Sequence, residues 1–99
     1  MDFSELESNI IKWANDKSLI KKDNGFRQFI KTVEEIGEVA RALLKHDKHE
    51  LIDGIGDVLV TLIILAKQHD LDITSCLDTA YKEIKGRTGK TVDGTFIKD

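Results

Sequence analysis

The sequence predicts an all-α fold: a four-helix bundle with a short hairpin-like tail at about residues 88–99, forming one domain over 1–99 that assembles as an oligomer. Three observations predict it. The 99 residues contain no proline, so the usual helix breaker is missing. Apolar residues recur at helical spacing along most of the chain. The helical stretches are separated by short polar breaks, and the last ends at Gly86, a natural stop.

Ser4-x-x-Glu7 has the spacing of a capping box, and Leu6, Ile10, Trp13 and Ala14 follow on one face. A first helix is therefore expected from about Ser4 to Asp16. Residues 17–24 read as a loop, with Asn24 as a cap for a second helix from Gly25 to about Lys45. There Phe26, Phe29, Ile30, Val33, Ile36, Ala40, Leu43 and Leu44 fill one half of the helix. Asp47, with Glu50 three residues on, opens a third helix running to about His69. From Val58 to Ala66 that helix is apolar nearly all round, which predicts burial on every side, partly against another subunit. A fourth helix spans about Ile73 to Lys85. In the tail, Asp93-Gly94 between β-formers predicts a small hairpin.

Composition narrows the function. The formal charge is −3, and its cations are scattered, unlike the basic footprint of a nucleic-acid binder. The longest apolar run is far too short to span a bilayer. Met1 to Glu5 lacks the basic and apolar regions of a signal peptide, so a cytoplasmic setting is expected. Cys76 stands alone, which excludes an internal disulfide and a cysteine zinc site; a buried, reduced thiol is expected. The three histidines sit near helix ends without zinc-motif spacing.

The chemistry lies in two acidic clusters. Glu34, Glu35 and Glu38 precede the break near His46 and Asp47, and Asp53 and Asp57 follow it. If the two helices run antiparallel, Glu38 pairs in height with Asp53 and Glu35 with Asp57, to within roughly 1.5–3 Å at the helical rise. Measured from Glu34, Glu38 lies about 40°, Lys31 about 60° and Glu35 about 100° round the helix, away from the apolar stripe. Facing carboxylates repel unless a cation sits among them, so a divalent-metal site competes with a solvated acidic face. Asp53 and Asp57 lie amid Ile52, Ile55 and Val58, which favours the metal. Gly37 and Gly56 interrupt good helix, and close helix contact would explain them.

Glu34-Glu35-x-x-Glu38 followed by Asp57-Val58-Leu59 resembles the MazG-like nucleotide pyrophosphohydrolases, of the all-α NTP pyrophosphohydrolase superfamily. The resemblance extends to Trp13, Gln28, Lys31, the segment Tyr81 to Lys90 and Val92-Asp93-Gly94-Thr95-Phe96, which look like small phage-type members. It implies hydrolysis of a nucleoside triphosphate, a dNTP first among them, to the monophosphate and pyrophosphate with Mg²⁺, or Mn²⁺ as a substitute. Glu35, Glu38 and Asp57 would hold the metal, and Glu34, alone or with Asp53, would orient or deprotonate the attacking water. Lys31, Arg87 and Lys90 would contact phosphates, and Trp13 would stack on the base. The family pattern has a Glu three residues before Asp57, where this chain has Gly54. Asp53, one residue away, is then either a metal ligand or a lysine's partner. For Lys31 and for Arg87 with Lys90, an ion pair and a helix-end role compete with phosphate contact. Gln28 reads as an exposed polar residue. The alternative function is a non-catalytic helical oligomerisation or metal-stabilised module.

Overall fold

The computed structural model describes residues 1–99. Four α-helices, α1 (Phe3–Asp16), α2 (Gly25–Lys45), α3 (Lys48–Gln68) and α4 (Ile73–Ile84), precede two strands, β1 (Gly89–Val92) and β2 (Thr95–Lys98). A single 3₁₀ turn, Lys22–Asn24, leads into α2. Mostly helical with a terminal hairpin, the chain matches the expected class.

Local chemistry sets the helix ends. The Glu50 amide donates to Asp47 Oδ1 at 3.0 Å, the cap that the sequence marks. His46, left-handed at φ 55°, closes α2, so α2 and α3 are joined by two residues and must run antiparallel. At α1 the cap is Asp2 rather than Ser4: its carboxylate accepts from the Glu5 amide at 2.9 Å. Asp2-x-x-Glu5 has the same spacing as Ser4-x-x-Glu7, and aspartate caps as well as serine. Asn24 occupies the cap position of α2 but makes no side-chain cap bond. Instead the His69 ring covers that end. A Cβ on Gly25 would stand 2.9 Å from its Nε2.

The α2–α3 pair is the main packing interface, and its inner face differs from the expected one. α2 buries Gln28, Thr32 and Ala42, while the Phe26-to-Leu44 apolar stripe stays largely exposed. Polar pairing makes this inner face possible. The Gln28 Nε2 donates to the Thr61 carbonyl at 3.0 Å, and Thr32 and Thr61 return their hydroxyls to backbone carbonyls of their own helices. Small residues then allow close approach. At Gly54 a Cβ would meet a Val39 methyl at 3.2 Å. Gly54 is therefore the glycine that a helix contact requires; Gly37 and Gly56 face open space in this chain.

α3 is covered unevenly. Thr61, Ile63, Ile64, Ala66 and Gln68 in its C-terminal half are buried beneath α1 and α2, whereas Ile52, Ile55 and Leu59 are exposed. Within the Val58–Ala66 run, where burial on every side is expected, four residues are buried, Leu59 is exposed and the rest are half-buried. The single chain is not a closed four-helix bundle, because α1 lies along α3 and α4 touches mainly α3. No residue of α4 or of either strand is buried. Cys76, on α4, is exposed rather than buried for that reason.

The hairpin forms as Asp93-Gly94 predicts. Both residues are left-handed, at φ 50° and 79°, the turn whose twist matches paired strands. Phe96 lies over Gly89, where a Cβ would meet its ring at 2.8 Å. No helix is long and apolar enough to cross a membrane.

Candidate metal centre

The two-residue turn brings the acidic clusters to one side of the α2–α3 pair. Glu35 and Glu38 from α2, with Glu50, Asp53 and Asp57 from α3, line one cavity of about 280 Å³, together with Arg41, Lys45 and Gly54. No apolar side chain lines it. Five carboxylates against two cations give this wall a strong negative charge.

Cations of the same helices hold several of these acids. Lys31 Nζ lies 3.4 Å from Glu35 and 3.5 Å from Glu34, and Arg41 lies 3.3 Å from Glu38. Lys45 reaches across the turn to Glu50 at 3.6 Å. Lys31 is kept above the ordinary lysine value, first by its hydrogen bond to Glu35 and then by the Glu34 and Glu35 charges. Asp57 has no such partner. Burial pushes its carboxyl above the ordinary 3.8, and the charges of Asp53 and Glu35 push it further, with Lys31 opposing.

With the side chains as they stand, no three carboxylates or histidines already converge on one point. The donor set nevertheless fits a hard divalent cation. It is all oxygen, comes from two facing helices, and crowds like charges around Asp57. Glu35 and Glu38 would have to exchange Lys31 and Arg41 for the ion, which the flexible, half-exposed Lys31 and Arg41 side chains permit.

A second cavity, of about 370 Å³, adjoins the first and shares Glu35 and Asp57 with it. Its other walls are Trp13, Leu19, Gln28, Lys31, Val60, Thr61 and Ile64. Trp13 is half exposed and borders this space rather than filling a core. An acidic chamber thus lies beside an aromatic one, with Glu35 and Asp57 in their common wall and Lys31 lining the aromatic one.

The sequence-predicted residues divide into three groups. Glu35, Glu38, Asp53 and Asp57 meet in the acidic cavity, and Trp13 and Lys31 line the adjoining one. Glu34 lines neither and points along the rim, where Lys31 holds it. Arg87 and Lys90 line neither cavity; Arg87 pairs with Glu83 of its own helix at 3.8 Å. Sequence reasoning missed Arg41, named Glu50 only as part of a cap, and read Gln28, quoted with the resemblance, as exposed where it is buried. Arg41 had a signal, three residues beyond Glu38 on the same side of the helix. The burial of Gln28 had none, because it depends on the partner carbonyl of Thr61.

Residues 28–92 match the model of the MazG nucleotide pyrophosphohydrolase domain. The chain belongs to the MazG nucleotide pyrophosphohydrolase domain family. The matched segment holds both acidic clusters, Lys31, Arg87 and Lys90, and leaves Trp13 outside. The chain is also similar to a protein of Haemophilus phage HP1 (strain HP1c1), described as an uncharacterized 18.2 kDa protein in the rep-hol intergenic region. The two are 39% identical over 71 residues, covering 72% of this chain and 44% of the phage protein. The MazG-family chain thus spans less than half the length of that relative. No solved structure matches it.

Proposed function

We propose that this MazG-family chain hydrolyses a nucleoside triphosphate, a dNTP before a ribonucleotide, to the monophosphate and pyrophosphate with Mg²⁺. One observation carries the reading. The oxygen-lined cavity of Glu35, Glu38, Asp53 and Asp57 opens onto the Trp13 cavity through shared walls, so one ligand with phosphates and a flat ring fits across both. Family membership supports the reaction class.

Glu35, Glu38 and Asp57 would hold the cation, and Mn²⁺ suits the same oxygen donors. When bound, it offsets charge on the phosphates and polarises the phosphorus under attack. The protein's own groups do the rest. Asp53, inside the cavity, takes the proton of the attacking water more directly than Glu34 at the rim. Water's oxygen bonds to the α-phosphorus, the bond to the bridging oxygen breaks, and pyrophosphate leaves. Lys31, released from Glu35, turns to the phosphates, and Trp13 offers a face to the base. Gly54 leaves this site one carboxylate short of the family pattern. A Cβ there would stand 3.2 Å from a Val39 methyl, which would have to give by a few tenths of an ångström.

Self-association is part of the same reading. The chain exposes 7749 Å², against about 5,700 Å² for a compact monomer of its mass. Its radius of gyration is 15.8 Å, against about 12.6 Å expected for this length. A dimer or tetramer that covers the α2 stripe removes this excess, and an excess of about 2,000 Å² is of the order that a stable interface buries.

The test is direct. Purified protein with Mg²⁺ and a panel of NTPs and dNTPs is expected to release pyrophosphate, with the monophosphate identified as co-product. Glu38→Gln is expected to abolish that release. A folded, oligomeric wild type that is inert across the panel would favour the non-catalytic module instead.

A further inference from the structure

We propose that Gln28 reads the base of the nucleotide. Its side-chain oxygen accepts a hydrogen bond from an exocyclic amino group, so amino-bearing bases are hydrolysed ahead of their carbonyl counterparts. The inference rests on the reading above for what the two cavities bind, and on the bonding of Gln28 itself for which edge of the base is read.

Gln28 is a buried amide with one free end. It is only 7% exposed, and it lines the Trp13 cavity. Its Nε2 donates to the Thr61 carbonyl at 3.0 Å, and a carbonyl can only accept, so the nitrogen is the end fixed toward α3. The oxygen is therefore the end left over. It accepts from no group of the protein, yet it is not sealed from solvent as Gln68 Oε1 is. For a side chain so closely packed, the space open to that oxygen is the cavity it lines. The bond to Thr61 fixes the amide before any ligand arrives, so little rotamer freedom is lost on binding.

Its place along α2 suits a base. Gln28, Lys31, Glu35 and Glu38 recur at spacings of three, four and three, which puts them on one stripe of the helix. Gln28 stands about 10 Å from Glu35 along the axis, with Lys31 between them. A nucleotide whose phosphates lie by Glu35 and Lys31 thus carries its ring to the Gln28 end. There Trp13, Val60 and Ile64 supply apolar wall for it.

The polar groups of that end select the edge. Thr61 gives its hydroxyl proton to the Val58 carbonyl at 2.7 Å, which leaves its oxygen only lone pairs to offer a ligand. Lys31 is engaged with Glu34 and Glu35. Two acceptors therefore suit a ring edge that donates. Cytosine at its 4-amino group and adenine at its 6-amino group donate there. Uracil, thymine and hypoxanthine hold a carbonyl oxygen at the same position. Set against Gln28 Oε1, that oxygen would leave both acceptors unpaired.

The test compares nucleotides that differ at that one group. With Mg²⁺ and the full chain, kcat/KM for dCTP is expected to exceed that for dUTP by about tenfold or more, and dATP to exceed dITP likewise. Gln28→Met keeps the length of the side chain but neither polar atom. It is expected to bring both ratios to within about twofold of one, chiefly by raising KM for the amino-bearing pair. A merely structural role would lower all four substrates together and leave the ratios standing, which would overturn the proposal. If a melting curve shows that Gln28→Met does not fold, the wild-type ratios decide alone. Equal wild-type kcat/KM for dCTP and dUTP would overturn the proposal while leaving the pyrophosphohydrolase reading intact. No turnover of any nucleotide would count against that reading instead, and calorimetric binding of dCMP and dUMP to the wild-type chain then decides. Tighter binding of dCMP would uphold the role of Gln28. Equal affinity, or no binding of either, would overturn it.

Discussion

The α2–α3 pair and the C-terminal arm contain similar side chains, yet only the pair buries any. Along α2 and α3, Gln28, Thr32, Ala42, Gly54, Thr61, Ile63, Ile64, Ala66 and Gln68 are shielded from water; along α4 and the strands, none is. The difference teaches that the two regions answer to different partners. The face that the two helices share is closed within one chain: a capped two-residue turn, polar bonds across the interface, and glycine at the closest approach. The arm carries leucine, tyrosine, isoleucine and phenylalanine that are half or more exposed, with none of its residues in the core.

The widest separation between the regions should appear in activity. Asp57→Asn in the pair is expected to cut pyrophosphate release by roughly 100-fold or more, since on the proposed reading it removes a carboxylate that would hold the metal. The same change is expected to raise the melting temperature near neutral pH. Asp57 is held above 3.8 when folded, so its charged form opposes folding at neutral pH, and that penalty fades as pH falls through the raised value. Below 3.8 the variant and wild type should melt alike. A variant that loses activity and stability together would mean that Asp57 supports the fold rather than a cation.

Stability should separate the regions next. Ile63→Ala, in the buried half of α3, is expected to cost about 2–4 kcal/mol in denaturant unfolding. Leu77→Ala, on the arm, is expected to cost less than about 0.5 kcal/mol in dilute, dissociated chain. The same Leu77→Ala chain should dissociate at higher protein concentration in sedimentation. Equal unfolding costs for the two would erase the distinction between core and arm.

What was legible in the sequence follows the same division. Asp47 with Glu50, and Asp93 with Gly94, act through their immediate neighbours, so cap and turn could be read directly. Glu35, Glu38, Asp53 and Asp57 could be paired because a two-residue turn fixes height along both helices. Rotation about the helix axis was another matter. Periodicity marks the Phe26-to-Leu44 stripe as a face to be covered but cannot say by what, and in this chain α3 packs on the adjacent arc of Gln28, Thr32 and Ala42. That choice turns on the Gly54–Val39 approach and on the Gln28–Thr61 bond, both made between residues distant in sequence. Cys76 was misread for the same reason, since its exposure follows from what α4 lacks rather than from its own neighbours.

Gly37 sharpens the comparison on a smaller scale. It lies within the exposed α2 stripe, and a Cβ there would meet nothing within 4 Å. Gly37→Ala is expected to stabilise the dissociated chain by about 0.5–1 kcal/mol, through helix propensity alone. In the assembled protein that gain should shrink or reverse if a second copy packs closely there. Melts at low and high protein concentration measure both. An identical gain at all concentrations would place the subunit contact elsewhere.

The smallest expected effect sits where the arm is tethered. Burial raises the Glu7 carboxyl of α1 above its ordinary 4.5, and a hydrogen bond with Asp72 and its charge raise it further. Asp72, which precedes α4, is lowered below 3.8, first by that hydrogen bond and then by Ser75. Of the two, Glu7 is the carboxyl that keeps a proton as pH rises, and in that form it donates to Asp72. The raised group contributes stability that is full below 4.5 and lost as pH rises through its folded value. The lowered group contributes stability present above 3.8 and lost as pH falls through its folded value. The tether is accordingly firmest in mildly acid solution and loosens toward neutral pH. Glu7→Gln keeps an amide donor on Asp72 at every pH, so it should melt slightly above wild type near pH 7. That advantage should shrink as pH falls through the raised folded value and close below 4.5, where Glu7 becomes protonated in both folded and unfolded chains. Parallel melting curves across this range would show that the carboxyl pair does not hold the arm to α1.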